Sequence, residues 1–264
     1  MLFSTDALVL RCIDTGDYDR ILTLLTPEQG RISVIAKGVR SPRSKFAPAS
    51  QPYVYGNYEI YRKGDTNWLR SGSVTEFFSD IRADIEKLAL SAYICDVAVE
   101  VTGEQFPAVD ILRMTLNTLY AIAKEIRPAA DIKATYEFRA AGYAGYMPDV
   151  SRCALCHDPG TGAVYLDVMN GRLICPACLT RQSAAQSHDE DSDLVYERSI
   201  LLPLSPPALA AVRYALSALP ERMFSFRITD PGAGREFHKA AEAYLLNHLE
   251  RGFDSLDFYK LISG

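Results

Sequence analysis

The chain has 264 residues, of which 48% are apolar, and carries a formal net charge of −5. Such composition excludes a disordered protein, and no apolar run approaches the ~20 residues that span a bilayer, so a membrane-spanning class is excluded as well. The acidity is uneven: residues 1–80 hold ten Lys/Arg against nine Asp/Glu, and residues 81–264 hold eighteen against twenty-four.

The first eighty residues predict five strands. Asp6 to Ile13 and Asp19 to Thr26 are rich in Leu, Ile and Val and flank the turn-forming Asp14-Thr15-Gly16-Asp17-Tyr18. Arg31 to Lys37 follows, and Tyr53 to Arg62 and Asn67 to Phe77 flank Lys63-Gly64-Asp65-Thr66. Five short strands with no helix-length segment among them predict a small closed barrel, most simply the oligonucleotide-binding (OB) fold, with an SH3-like barrel as the rival.

Within this part, Arg31, Lys37, Arg40, Arg43 and Lys45 occur with no acid between them. Gly38, Pro42 and the serines around them predict an exposed loop in which cations can meet successive phosphates. Five phosphate contacts would give a log–log salt slope of about −3.5 for a single strand. Tyr53, Tyr55, Tyr58, Tyr61 and Trp68 could stack bases or fill the barrel, and alternation allows only one strand face to meet nucleic acid.

From Ser79 the period changes to helical. Ile81, Ile85, Leu88, Ala92, Cys95 and Val99 predict one apolar stripe on a helix capped by Ser79 or Asp80, with Cys95 in the core. Ile111 to Ile126 predicts a second helix stopped by Pro128, and a third starts near Ile132 and breaks at Gly145-Tyr146-Met147-Pro148. After the cysteine-rich segment, Gln182 to Asp193 is polar and reads as a connector. Ser205-Pro206 then opens an amphipathic helix, and another runs through Phe237, Ala241, Tyr244, Leu245 and His248. His238 and His248 receive no role.

Cys153, Cys156, Cys175 and Cys178 form two Cys-x-x-Cys pairs at zinc-ribbon spacing. Between them, Val164 to Met169 and Arg172 to Ile174 flank Asn170-Gly171, a dipeptide suited to a type I′ hairpin. Disulfides fit poorly, because the N-terminus shows no secretory pattern and a reducing cytoplasm is the expected compartment. A four-thiolate site leaves no position for water or substrate, so one structural Zn²⁺ is expected and His157 is left out.

In this order, these features resemble the RecO family of bacterial recombination mediators. The resemblance lies in Gly16 to Thr26, in Gly30-Arg31-Ile32-Ser33-Val34-Ile35-Ala36-Lys37-Gly38-Val39-Arg40-Ser41-Pro42, and in Asp254-Ser255-Leu256-Asp257-Phe258. It implies an OB barrel, a helical domain and, in many members, a zinc ribbon. It also implies non-enzymatic work in DNA repair and recombination: binding single- and double-stranded DNA, annealing complementary strands, and acting with RecR to load RecA onto strands covered by single-strand-binding protein. Some members lack the cysteines, which again makes the metal structural.

The expected fold is α+β: barrel at 1–78, helical domain at 79–150, zinc ribbon at 151–180, flexible linker at 181–199 and the rest of the helical domain at 200–264. DNA contacts fall on Arg31, Lys37, Arg40, Arg43 and Lys45. Two other classes are weighed, a zinc-ribbon nucleic-acid-modifying enzyme and a protein-binding adaptor. No Walker loop, His-Glu-x-x-His or Gly-x-Ser-x-Gly supports catalysis.

Overall fold

The computed structural model describes residues 1–160, 162–186 and 199–263. Five strands, β1 (Leu2–Thr15), β2 (Asp19–Thr26), β3 (Gly30–Ala36), β4 (Tyr55–Lys63) and β5 (Thr66–Glu76), close a barrel in the neighbour order β1-β2-β3-β5-β4. The closure of β3 onto β5 is parallel, at Ile35 and Trp68, which is the OB arrangement rather than the SH3-like one. Ala7, Val9, Leu22, Leu24, Ile32, Val34, Tyr58 and Ile60 alternate inward and fill the interior.

β1 is longer than the sequence predicts because it has two partners. Its first half, Leu2 to Leu8, pairs with β4, and from Leu8 to Thr15 it pairs with β2. An irregularity between Val9 and Arg11 lets the strand bend from one neighbour to the other. Close to that seam, Gly56 of β4 lies against β5 so tightly that an added Cβ would sit 1.9 Å from the Ser73 carbonyl oxygen. Gly56→Ala must therefore push backbone apart, and we expect it to cost about 1–3 kcal/mol, read as a lower urea midpoint at unchanged slope.

After the barrel, α1 (Ser79–Arg82) is a single turn and α2 (Ile85–Val101) a separate helix capped by Asp84, whose carboxylate accepts from the Lys87 amide at 3.0 Å. The expected continuous helix with its cap at Ser79 or Asp80 is thus interrupted at Ala83-Asp84. Nor is α2 one-sided. It buries Leu90, Tyr93, Ile94 and Val97 as well as Cys95 and Val99, while Ile85 of the expected stripe is exposed. α3 (Val109–Ala123) and α4 (Ala129–Tyr143) follow.

Next come β6 (Asp149–Cys153), β7 (Val164–Asp167), β8 (Arg172–Ile174), α5 (Pro176–Gln186) and β9 (Leu201–Leu204). Residues 181–186, expected to begin the linker, continue α5, and residues 187–198 of that segment lie outside the described residues. β9, which the sequence reading did not anticipate, pairs with β7 and completes a four-stranded sheet, β6-β8-β7-β9. The apolar run Ile200-Leu201-Leu202 directly after the polar stretch was its available signal.

Three more helices are α6 (Pro206–Ser217), α7 (Pro231–Leu249) and α8 (Asp254–Ser263). Ser205 precedes α6 as expected, but its hydroxyl makes no capping bond, and its amide donates instead to Glu236 at 2.7 Å. Contacts divide the chain into one unit of residues 1–129 and 253–264 and another of residues 130–252. In the first unit α8 packs on α2, where Ser255 donates to Asp96 at 2.7 Å and Tyr93 meets Phe253 edge-on. No helix among the described residues is long and apolar enough to cross a membrane.

Candidate metal centre and nucleic-acid interface

In the second unit, β6 ends at Cys153 and the next turn carries Cys156, while β8 delivers Cys175 to the start of α5, whose first turn holds Cys178. The four Sγ atoms lie within 4.8 Å of one another. Tetrahedral coordination at a Zn–S distance of ~2.3 Å places sulfurs about 3.8 Å apart. The Cys156 and Cys175 sulfurs stand 3.6 Å apart, too far for a disulfide and right for shared ligation. Four soft thiolates suit zinc or iron and not a hard oxygen-seeking cation. The residues present fit the group.

Local geometry explains the convergence. The Cys153 carbonyl accepts the His157 amide at 3.0 Å, and His157 takes φ 61°, closing the first knuckle. His157 is not among the clustered ligands. Burial tends to raise the Cys153 thiol, but amides of Cys156, Cys175 and Leu155 aimed at its sulfur prevail and bring it to about 6. Burial and the neighbouring sulfurs push Cys178 up to about 12. A cation is the common partner that lets all four ionise together.

The hairpin between the pairs differs from expectation. β7 and β8 pair Asp167 with Arg172, so Asn170-Gly171 belongs to a four-residue loop rather than a two-residue type I′ turn, and only Gly171 takes positive φ. Asp167 is the reason. Its buried carboxylate accepts from the Asn170 amide at 3.3 Å, the Arg172 guanidinium at 3.1 Å and the Ser199 hydroxyl, fastening the wider loop. Burial would raise this acid, yet these donors hold it below the usual carboxylate range.

The histidines given no role are both engaged: His238 pairs with Asp131 at 2.6 Å, and His248 contacts the Val168 carbonyl at 2.9 Å.

In the first unit, the basic segment does not project freely. Val39 is buried in the barrel core and Phe46 packs against it, while Gly38, at φ 63°, donates its amide to Asp19 at 2.7 Å. Between these anchors the backbone makes consecutive turns, Ser41 bonding back to Gly38 and Ser44 to Ser41. Lys37, Arg43 and Lys45 are exposed and make no ion pair among the described residues. Arg40 pairs with Asp14 at 3.2 Å, an exposed contact that a phosphate can replace. Arg31 is committed differently: its guanidinium donates to the Val99 carbonyl at 2.7 Å and faces Glu104 at 3.4 Å, tying β3 to the end of α2.

Among the aromatics, Tyr58 is fully buried with its hydroxyl on the Ala49 carbonyl at 2.8 Å, and Tyr53 is also buried. Tyr61 and Trp68 lie on the outer face as a cross-strand pair. Sequence reasoning missed two exposed cations near that pair, Lys63 and Arg70, which make no ion pair among the described residues; alternation with Tyr61 was the available signal for Lys63, while Arg70 stands at an irregularity of β5. A separate cavity of about 340 Å³ is lined by Pro52, Tyr53, Arg82, Leu88, Ala89, Ala92 and Phe258, a set with no carboxylate, histidine or cysteine.

Two family descriptions match this chain: "Recombination protein O N terminal" over residues 1–78 and "Recombination protein O C terminal" over residues 82–257. The chain is 29% identical over 258 residues to a DNA repair protein RecO of Acetivibrio thermocellus, covering 98% of this chain and 96% of that one. It is 31% identical over 250 residues to that of Anaeromyxobacter dehalogenans strain 2CP-C, covering 92% and 90%. With the protein of the same name from Shouchella clausii it shares 31% over 185 residues, covering 70% and 72%.

Proposed function

Because the chain belongs to the RecO family, we propose that it serves DNA repair as a recombination mediator that binds single- and double-stranded DNA and anneals complementary strands. With RecR it would help load RecA onto strands coated by single-strand-binding protein, working in the cytoplasm and without covalent chemistry. The observation that carries this reading is the cationic turn segment Lys37-Arg40-Arg43-Lys45 pinned to an OB barrel by Val39 and Phe46. Cations held on a rigid scaffold meet phosphates without first being ordered, and they lower the repulsion between two strands brought together. Arg31, occupied by Val99 and Glu104, is assigned to structure, so DNA contact rests on Lys37, Arg40, Arg43 and Lys45. The four cysteines would hold one Zn²⁺, which supplies cross-linking and no reaction step.

Titration of labelled oligo-dT and of duplex at several salt concentrations tests the reading. Four contacts give a single-strand slope of about −2.8 or steeper. Replacing Lys37, Arg43 and Lys45 by Ala together should flatten the slope by about 2 and weaken binding roughly 50-fold near 0.15 M salt. Unchanged affinity with an unchanged slope would reject this interface.

A further inference from the structure

We infer that the outer face of the barrel carries a base-stacking belt, centred on Tyr61 and Trp68, that takes unpaired bases and so distinguishes single-stranded DNA from duplex. The inference rests on the DNA-binding reading above and names the part of the ligand that the cationic segment does not touch.

The belt follows from strand register. Leu2 of β1 lies opposite Tyr61 of β4, Tyr61 opposite Trp68 of β5, and Trp68 beside Ile35 of β3. Ile35 is opposite Ile21 of β2, which is opposite Ile13 at the far end of β1. Six apolar side chains thus form one continuous row around the barrel. Tyr61, Trp68, Ile35 and Ile21 point outward, since their chain neighbours Ile60, Asn67, Val34 and Leu22 are the buried ones, and Leu2 and Ile13 flank Phe3 and Cys12, which pack against the barrel core. Leu2 is 55% exposed, Tyr61 40% and Ile13 62%. An OB barrel already has a filled interior, so an outer row of this kind has no packing role within the barrel.

Charge selects the occupant. By the same alternation Lys37 follows Ile35 and Lys63 follows Tyr61 on the outer face, and Arg70, at the irregularity where β5 shifts register against Glu59 and Ile60, is exposed two residues after Trp68; all three are without ion pairs among the described residues. Because β3 and β5 run parallel, Lys37 and Arg70 stand on the same side of the row, where the cationic turns begin. Glu59, two residues before Tyr61 on this face, accepts from Ser71 at 3.2 Å. Aromatic rings with centroids 6.2 Å apart, flanked by cations, match a single strand, whose bases are free to stack and whose phosphates follow them. A duplex hides its base faces. A neutral or basic protein surface would leave these three cations without a counter-charge, whereas a phosphate backbone supplies one for each.

Trp68 is the sole tryptophan of the chain, so it reports on its own site. The full-length protein is titrated with labelled oligo-dT while anisotropy and tryptophan emission are followed together, and then with a labelled duplex. The expected result is quenching of Trp68 that saturates with the oligo-dT anisotropy and is absent with duplex. Tyr61→Ala, which keeps the reporter, should weaken oligo-dT binding about tenfold and duplex binding less than twofold, while Trp68→Phe should retain most single-strand affinity. A rise in anisotropy with unchanged Trp68 emission would overturn the belt and leave the DNA-binding reading standing. No rise in anisotropy would overturn both. An emission change that follows protein concentration without DNA would assign the row to self-association. Equal losses for oligo-dT and duplex in Tyr61→Ala would show a structural residue and also overturn the belt.

Discussion

If the four cysteines hold a metal as proposed, chelation at neutral pH, or joint replacement of Cys153 and Cys178 by Ser, is expected to melt the sheet β6-β8-β7-β9 while the barrel persists. The ribbon's own hydrophobic cluster is built around the ligands: Cys153, Ile174 and Cys178 are its buried members, with Cys175, Leu179 and Leu201 packed against them. Without a cation, folding would bury crowded thiols that each oppose ionisation of the next, and the apolar remainder is too small to hold four short strands. Structural zinc contributes an apparent ~10–16 kcal/mol in isolated finger peptides, which is a ceiling here because Leu166, Leu202 and Leu204 also bury surface. Hydrogen exchange would read the effect, with protection lost across β6 to β9 and retained across β1 to β5. DNA affinity should change less than twofold if the metal is structural. Retained protection in metal-free protein would defeat the prediction, and a collapse in DNA affinity would move the ribbon into the interface.

The sequence disclosed most about the parts whose patterns are local. Richness in Leu, Val and Ile beside turn residues placed β2 at both ends, Asp19 and Thr26, and the two Cys-x-x-Cys pairs named the four sulfurs that converge without any knowledge of the chain between them. Long-range physics decided the rest. β1 gained length from having two partners, and β9 formed because β7 had an open edge. The committed state of Arg31 could not be read from its neighbours, since its acceptor, Val99, is 68 residues away. The same holds for the choice among aromatics. Tyr58 and Tyr61 are three residues apart and so lie on opposite faces, but only closure of the barrel decides which face is interior.

α4 shows the largest gap between local pattern and outcome. Asp131, Lys133, Glu137 and Arg139 would mark a solvent-facing helix, yet every residue from Asp131 to Ala141 is buried. The charges are reconciled by partners far along the chain. Lys133 meets Glu137 at 2.7 Å and Glu242 of α7 at 2.8 Å, and Arg139 donates to the carbonyls of Ala215 and Ala218 at 2.8 Å, where α6 ends. Burial disfavours the Lys133 ammonium, but the charges and hydrogen bonds of Glu137 and Glu242 outweigh it and raise its pKa.

Lys133→Met should therefore destabilise the protein by about 3–5 kcal/mol, because it takes the ammonium away from the Glu137 carboxylate, whose side chain is 0% exposed. The double variant Lys133→Met, Glu137→Leu removes both charges at similar volume and should recover much of that loss, a coupling that a denaturant-based double-mutant cycle would read. The pH dependence has a definite sign. A lysine whose folded pKa is raised contributes fully below its unfolded value of ~10.4 and loses that contribution as pH climbs from there through the folded value. The difference between native protein and Lys133→Met should thus stay level from neutral pH to about pH 10 and narrow above it. A difference that instead disappears near neutrality, or a double variant as unstable as the single one, would show that the Lys133–Glu137 pair is not what holds α4 in the core.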